Sequence, residues 1–541
     1  MPTSTTNYGL IKPGTDDPIL IEQLNDNADT IDAALKENAD AIENKPDAAD
    51  IPTPSTAAPA MDGTAAAGTS TDYARADHVH PSDTSKQDAL TAAQLAAVNS
   101  GIDGTKVGQI ETNKNNILLL QQEQITQNRE IATLREITNC KLYGFKIDKQ
   151  DVNPDTRVTY LYDAVGMTPA YMDFANGTFN YGSWADIWFV KNNRPVALKF
   201  DGTVDYELSH TDFTKKIDGE TASDVEDVNY AGNFMSEIPL VYVKRWEDER
   251  YNYIVFSETK PNDDYLAQAH ANANGTVNPY IYLPMFKGYK DNNGKLRSLM
   301  GTTPWNTTGG ASNEVTAASA CGDGWQLWDK AKIDLVMDLI VLITKSTSCR
   351  AKIGNGVCNT GSSDSALVKS GYEKDGSTRS ANAQFFGTEG TDSSGYGQHH
   401  MSAFYIEDLW GNRWDRCLGF NLVSNVYKVK MTPPYVLDPT SDSIYMTLDI
   451  LPPPPTVTIG NGEGWLKNVS SGVWGDVPTE VGASNTSGFA NYFYKSVSDN
   501  RLSLFGGSAG DGLKVGRCWV LNRAPSYSNW SIGGSPCYNA L

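Results

Sequence analysis

Apolar side chains recur along this chain with two periods. Between Pro18 and Asn44, Leu24, Ala28, Ile31, Leu35, Asn38 and Ile42 alternate at spacings of four and three. That pattern predicts a heptad seam on a helix, with Pro18 suited to the first turn. A short amphipathic helix packed on its own domain is the alternative, but residues 45–67 are mostly Pro, Ala, Thr and Asp, too poor in large apolars to build that domain. Further on, Ile110, Ile117, Gln124 and Ile131 share one heptad position, and Asn113, Leu120, Gln127 and Leu134 another. This second seam would run about 40–45 Å at helical rise. Its polar members Asn113, Gln124 and Gln127 weaken it and serve to fix register. A single chain offers no partner for such a stripe, so a homo-oligomeric coiled coil is predicted.

From Tyr143 the period shortens. The runs starting at Val158, Ile238, Tyr251 and Tyr427 read as short strands between Gly, Asn and Asp turns. One helix stands out at 329–346, with Ile333, Val336, Met337, Ile340, Val341 and Ile343 near a 3.6 period. Leu451 and the four prolines after it predict a stiff extended segment. The expected fold class is α+β. The expected organisation is 1–45 as an attachment region with a short coiled coil, 46–88 as linker and collar, and 89–139 as stalk. A β-rich part of the head follows at 140–300, and its remainder at 301–541.

Composition narrows the function classes. The 541 residues carry a net charge of −21, which disfavours nucleic acid and anionic membrane surfaces as ligands. Gly (47), Tyr (26) and Trp (12) are too plentiful for a disordered acidic tail. The N-terminal residues lack a basic region followed by an apolar run, so no signal peptide is expected. The apolar stretch from Ile333 to Ile343 is too short to span a bilayer, and no membrane insertion is expected. Seven cysteines, an odd count without a C-x-x-C pair, argue against a disulfide scaffold and for a reducing compartment.

Catalytic signatures do not stand out. No H-E-x-x-H, G-x-S-x-G or phosphate-binding loop occurs, and Gly460-x-Gly462-x-Gly464 reads as a turn after the proline run. His399 and His400 read as an exposed loop pair. Asp408 and Asp415, flanking Trp410, are a formal candidate for a glycosidase carboxylate pair. His78-Val79-His80 would project both imidazoles to one side of an extended chain. One chain supplies two ligands. Three chains around an axis would supply six nitrogens, suited to an octahedral transition ion such as iron or nickel rather than four-coordinate zinc. The alternative is an exposed pair before the turn-forming Pro81.

Several segments resemble known protein families. Asn7-Tyr-Gly-Leu-Ile-Lys-Pro-Gly-Thr-Asp-Asp with its heptad helix resembles the virion-proximal end of bacteriophage tail fibres. The segment from Gly63 to Pro81, Gly-Thr-Ala-Ala-Ala-Gly-Thr-Ser-Thr-Asp-Tyr-Ala-Arg-Ala-Asp-His-Val-His-Pro, resembles a collar module of such fibres. That resemblance implies a trimer with a metal held on its axis by His78 and His80, and no organic cofactor. The remainder resembles phage receptor-binding proteins that are targets of diversity-generating retroelements and end in a C-type-lectin fold of the formylglycine-generating-enzyme kind. Gly182-Ser-Trp-Ala-Asp-Ile-Trp-Phe-Val-Lys-Asn, Ile406-Glu-Asp-Leu-Trp-Gly-Asn-Arg-Trp-Asp-Arg and Ser528-Asn-Trp-Ser-Ile-Gly-Gly carry the likeness.

The resemblance implies a variable region at about 503–535. Its fixed frame would be Phe505, Gly506, Gly507, Gly516, Trp530, Ile532 and Gly533, with Trp410 and Trp414 as core rings. The implied ligand contacts are Ser508, Ala509, Asp511, Leu513, Lys514, Arg517, Cys518, Trp519, Leu521, Arg523, Ser526 and Tyr527. They mix charged, aromatic and small side chains, as recognition surfaces do. Lys514 and Trp519 fit least well, because changing only the two adenines of an Asn codon yields neither residue. The calcium-dependent sugar motifs of animal C-type lectins are missing, and Cys518 with Cys537 is a poor match to a catalytic cysteine pair.

The expectation is therefore an elongated, non-enzymatic homotrimer of the phage virion, assembled in the host cytoplasm. Its N-terminus would dock on a tail or baseplate protein, and its head would bind a bacterial surface protein or glycan. The alternatives are a tail-associated polysaccharide-degrading enzyme and a passive spacer.

Overall fold

A computed structural model describes residues 3–4, 11–12, 111–119, 140–305, 309–378, 382–388, 396–453, 461–497 and 499–539. The side chains of Asn461, Gly462 and Cys518 lie outside that description, as do His78, His80, the heptad helix at 18–44 and most of the stalk at 89–139. The chain divides into two compact units, Met1–Gln121 and Gln122–Leu541.

In the first unit, Thr3–Ser4 pairs antiparallel with Ile11–Lys12. Residues 111–119 are helical and exposed along their whole length, including Ile117 and Leu118. Ile117 thus sits on a helix, as its heptad position requires, and in the single chain its side chain meets solvent.

The second unit is mixed and mainly β. Three larger sheets surround one helix. The first orders Tyr242–Glu247, Tyr251–Ser257, Leu142–Asp148 and Val158–Tyr162, all antiparallel. The second orders Trp325–Leu327, Pro536–Tyr538, Tyr280–Pro284, Gly232–Pro239, Arg194–Lys199 and Val204–Glu207. Because Tyr282 pairs with Tyr538, residues from 140–300 and from 301–541 share a sheet. The third sheet has nine strands, and its middle orders Trp414–Val423, Asn500–Gly506, Gly516–Leu521 and Tyr492–Ser496. No described helix is long and apolar enough to cross a membrane.

The expected strands at Val158–Tyr162 and Tyr251–Ser257 form as their β-branched and aromatic alternation requires. The run from Ile238 to Val243 does not make one strand. Pro239 ends Gly232–Pro239, and a new strand starts at Tyr242 in a different sheet. The Gly462 and Gly464 segment is also not a turn. It lies in Asn461–Gly472, where Gly464 pairs with Phe493.

The expected helix spans Lys330–Thr344. The Asp329 carboxylate caps it by accepting the Lys332 N–H at 3.0 Å. Lys345, in the left-handed region at φ 51°, ends it. All fifteen of its residues are buried, the charged ones included. Its apolar side joins a core that reaches Phe145 and Phe256 of the first sheet, Ile281 of the second, and Phe420, Phe493 and Phe505 of the third. Each such side chain contributes about 1.5–3 kcal/mol through burial.

The polar stripe of the helix, Lys330, Asp334 and Asp338, faces charges rather than water. Arg517 donates to Asp338 and to Asp476, each at 2.5 Å. Arg245 pairs with Asp338 on its other side and reaches Asp476 at 3.7 Å. Lys330 pairs with Asp334 at 2.9 Å and lies over the Phe420 and Trp519 rings. Three cations thus meet three carboxylates, so the interior carries formally balanced charge. Burial pulls the Arg517 pKa down, but Asp338 and Asp476 outweigh it and hold the group above its usual value.

Candidate functional site

The segment expected to vary folds as an excursion from the third sheet. Asn500–Gly506 runs into Gly506 and Gly507, both at positive φ (94° and 97°), which glycine adopts without strain. The chain then loops through Ser508–Asp511, makes a short turn at Gly512–Lys514, and returns as Gly516–Leu521. Leu504 pairs with Val520 and Phe505 with Trp519. Gly516, at φ 119°, sits where a Cβ would lie 2.3 Å from Asn491 Oδ1.

Strand alternation divides the expected contacts. Arg517, Trp519 and Leu521 point into the main core and are at most 1% exposed, which corrects the expectation that they meet ligand. Trp519 packs edge-on against Phe420. Ala509 is also buried, in a small cluster with Val357, Ala366 and Val368. Arg517, Trp519 and Leu521 are held inward because the returning strand is paired on both sides, with Asn500–Gly506 and with Tyr492–Ser496, whereas Ala509 is buried from the loop before it.

The opposite side of the same strand forms the floor of a concavity of about 340 Å³. Leu504, Val520 and the buried ring of Trp414 make the floor, Ser508 and Asp511 one wall, and Arg523, Tyr527 and Trp530 also line it. Four expected contacts are therefore brought together: Ser508, Asp511, Arg523 and Tyr527. Lys514 lies alongside, donating to the Tyr494 hydroxyl at 2.9 Å, with its ammonium 4.5 Å from the centre of the Tyr492 ring. Leu513 is half-buried and Ser526 exposed, and neither lines the concavity.

The polar groups differ in how far they are already engaged. Asp511 Oδ2 accepts the Ser508 N–H at 2.7 Å and its hydroxyl at 2.5 Å. Burial nevertheless raises the Asp511 pKa. The Arg523 guanidinium lies 4.4 Å from the Tyr527 ring centre, a cation–π contact at an exposed residue. Tyr527 accepts from Asn529 Nδ2 at 3.2 Å. Asn522 Oδ1 is buried and has no hydrogen-bond partner.

Sequence reasoning missed Ser362, Tyr494, Asn522 and Asn529, and assigned Trp414 and Trp530 to the frame alone. Asn522 and Asn529 carried a signal, since both lie within 503–535. Tyr494 carried none, because only its parallel pairing with Val520 brings it to the rim.

The other sequence candidates are closed by their neighbours. His400 is buried, not exposed: Nδ1 donates to Asp408 at 2.7 Å, and Nε2 faces the carbonyls of Lys369 and Tyr372 at 3.1 and 2.7 Å. With Glu407, these residues form the one cluster among the described residues whose ligand atoms approach metal-site spacing. Yet both His400 nitrogens face oxygen acceptors, and Glu407 accepts the Gly371 N–H. The cluster acts as a hydrogen-bonded clasp between loops.

His399 is exposed and pairs with Glu373 at 2.8 Å. Asp415 is held by Lys287 at 2.7 Å, Arg413 and Ser535, and the cavity it shares with Asp408 measures only about 10 Å³, too small for the sugar a glycosidase pair would flank. Burial raises the Asp415 pKa, but Lys287 and Arg413 outweigh it and leave it below the usual carboxylate value. Burial pushes the Cys537 thiol well above its ordinary range. Trp410 is a core ring whose Nε1–H donates to the Gly354 carbonyl at 3.0 Å. No protein-family model and no curated protein matches the chain.

Proposed function

We propose that this chain is a non-enzymatic, homotrimeric receptor-binding protein of a phage tail fibre, with a C-type-lectin-like head. Its N-terminal residues dock on a tail or baseplate protein. The heptad seams at 18–44 and 110–134 hold three chains together, and His78 and His80 of each chain hold a transition ion on the axis. The head carries the receptor site. Display of three heads multiplies the apparent affinity of a weak single site.

The observation that carries this reading is the aromatic concavity. It unites Ser508, Asp511, Arg523 and Tyr527, from the segment that resembles a diversified region, with the rings of Trp414 and Trp530. The surrounding frame is closely packed, with Gly507 and Gly516 in backbone conformations glycine favours and Trp519 buried in the core. Side chains at the rim can change on such a frame without loss of the fold.

The test is adsorption to host bacteria. Full-length protein carrying Arg523→Ala, Tyr527→Ala and Trp530→Ala is expected to remain folded and trimeric and to lose cell binding. Unchanged binding by that folded variant overturns the assignment of the site. Release of reducing sugar from host envelopes by the native protein overturns the non-enzymatic reading.

A further inference from the structure

The concavity has features that select a ligand chemistry. Its volume, about 340 Å³, lies at the lower end of small-ligand sites. A protein epitope instead spreads over a patch of about 800 Å² per partner. The site is therefore sized for a small unit, such as a sugar ring projecting from a larger polymer.

The lining suits hydroxyl-rich rings. Tyr494, Tyr527 and Trp530, each part-exposed, provide ring surface against which the C–H faces of a sugar can pack, with the buried Trp414 beneath them. Between these rings stand short hydroxyl and amide groups rather than long flexible ones. Asn522 also lines the concavity; its Oδ1 has no donor within the protein and lies covered by neighbouring atoms, so a ligand hydroxyl reaches it once that cover shifts.

Charge adds a second selection. Asp511 already accepts two hydrogen bonds from Ser508. Arg523 is different, since its guanidinium rests on the Tyr527 ring and makes no ion pair among the described residues. An exposed guanidinium at the rim, with no ion-pair partner among the described residues, favours an incoming carboxylate or phosphate locally, against the −21 charge of the chain as a whole.

From these features we infer that the concavity binds a glycan unit bearing an anionic substituent. The sugar ring packs on Trp530, a hydroxyl donates to Asn522, and the acid group meets Arg523. The inference rests on the concavity being the receptor site of the proposed adhesin, and it adds the class of receptor.

Full-length protein titrated by calorimetry with maltotriose, trigalacturonate and a glycerol-phosphate oligomer tests it. At least one acidic probe is expected to bind about tenfold or more tightly than maltotriose, and the tighter of the two identifies carboxylate or phosphate as the substituent. Arg523→Gln is expected to abolish that preference, weakening the acidic probe about tenfold or more and so bringing it level with maltotriose. Asn522→Leu is expected to weaken all binding about tenfold, with an unchanged circular dichroism spectrum. Failure of all three probes to bind, or an acid preference that survives Arg523→Gln, overturns the inference.

Host cells separate this inference from the reading beneath it. Adsorption lost after periodate oxidation of the cells and kept after protease treatment supports a glycan. Adsorption that survives periodate and is lost with protease overturns the glycan and leaves the adhesin standing. No adsorption to untreated hosts removes both.

Discussion

Arg517 and Asp338, 179 residues apart in sequence, meet at 2.5 Å inside the head. The pair ties the returning strand of the expected variable region to the central helix. It makes Arg517 a structural residue within a segment whose Ser508, Asp511, Arg523 and Tyr527 line the concavity.

Replacing Arg517 should therefore unfold the head long before it alters specificity. Arg517→Met leaves Asp338 and Asp476 buried with one cation fewer, and a loss of about 3–5 kcal/mol is expected. Arg523→Met, at the exposed rim, should change stability by about 0.5 kcal/mol or less. Urea unfolding followed by tryptophan fluorescence distinguishes the two. Equal effects would contradict the different placement of the two arginines.

His270 should make the head acid-sensitive. It is fully buried, neither ring nitrogen has a hydrogen-bond partner, and burial, then the Lys332 charge, pulls its pKa down to about 3. An unfolded histidine titrates near 6.5. Between those values the unfolded chain binds the extra proton, so stability is complete above about 6.5 and falls as pH drops toward 3. At pH 4.5 the loss from this group is about 2–3 kcal/mol. Urea midpoints measured from pH 7 to 4.5 should fall less steeply in His270→Leu than in the native protein.

Gly516→Ala should be destabilising for two separate reasons. The residue sits at φ 119°, and the new methyl would meet Asn491 Oδ1 at 2.3 Å. Gly219 also has positive φ (75°) but faces open space, so Gly219→Ala isolates the backbone cost of about 1 kcal/mol. Thermal melts should place Gly516→Ala clearly below Gly219→Ala. Coincident melts would show that Asn491 simply moves aside.

The proposed axial ion predicts a stoichiometry. Purified full-length protein should sediment as a trimer and contain about one transition ion per three chains, as octahedral coordination by six imidazoles requires. His78→Ala with His80→Ala should remove the ion by elemental analysis and leave the head's spectrum unchanged. A metal content that does not respond to that change argues for a site elsewhere.

Much of the local structure was legible. The helix at Lys330–Thr344 and the strands at Val158–Tyr162 and Tyr251–Ser257 follow from short-range periodicity, which depends only on neighbours along the chain. The run at Ile238 to Val243 was misread because an apolar run does not reveal which sheet each part joins. Of the fifteen residues lining the concavity, four were read as contacts: Ser508, Asp511, Arg523 and Tyr527. Tyr494 could not be, because only strand pairing brings it beside Val520.

By itself the sequence determined where the chain is periodic and where it is rich in small polar and aromatic residues. It also set the positions where glycine was needed. The tertiary structure decided which side of each element meets protein and which meets solvent. Lys330, Asp334, Asp338 and Arg517 look like solvated charges in sequence. They are interior because Arg245 and Asp476, supplied by two further strands, complete their neutralisation. A buried charge is tolerable only with its partners in place, and these partners come from segments far apart along the chain, so no local pattern could announce them.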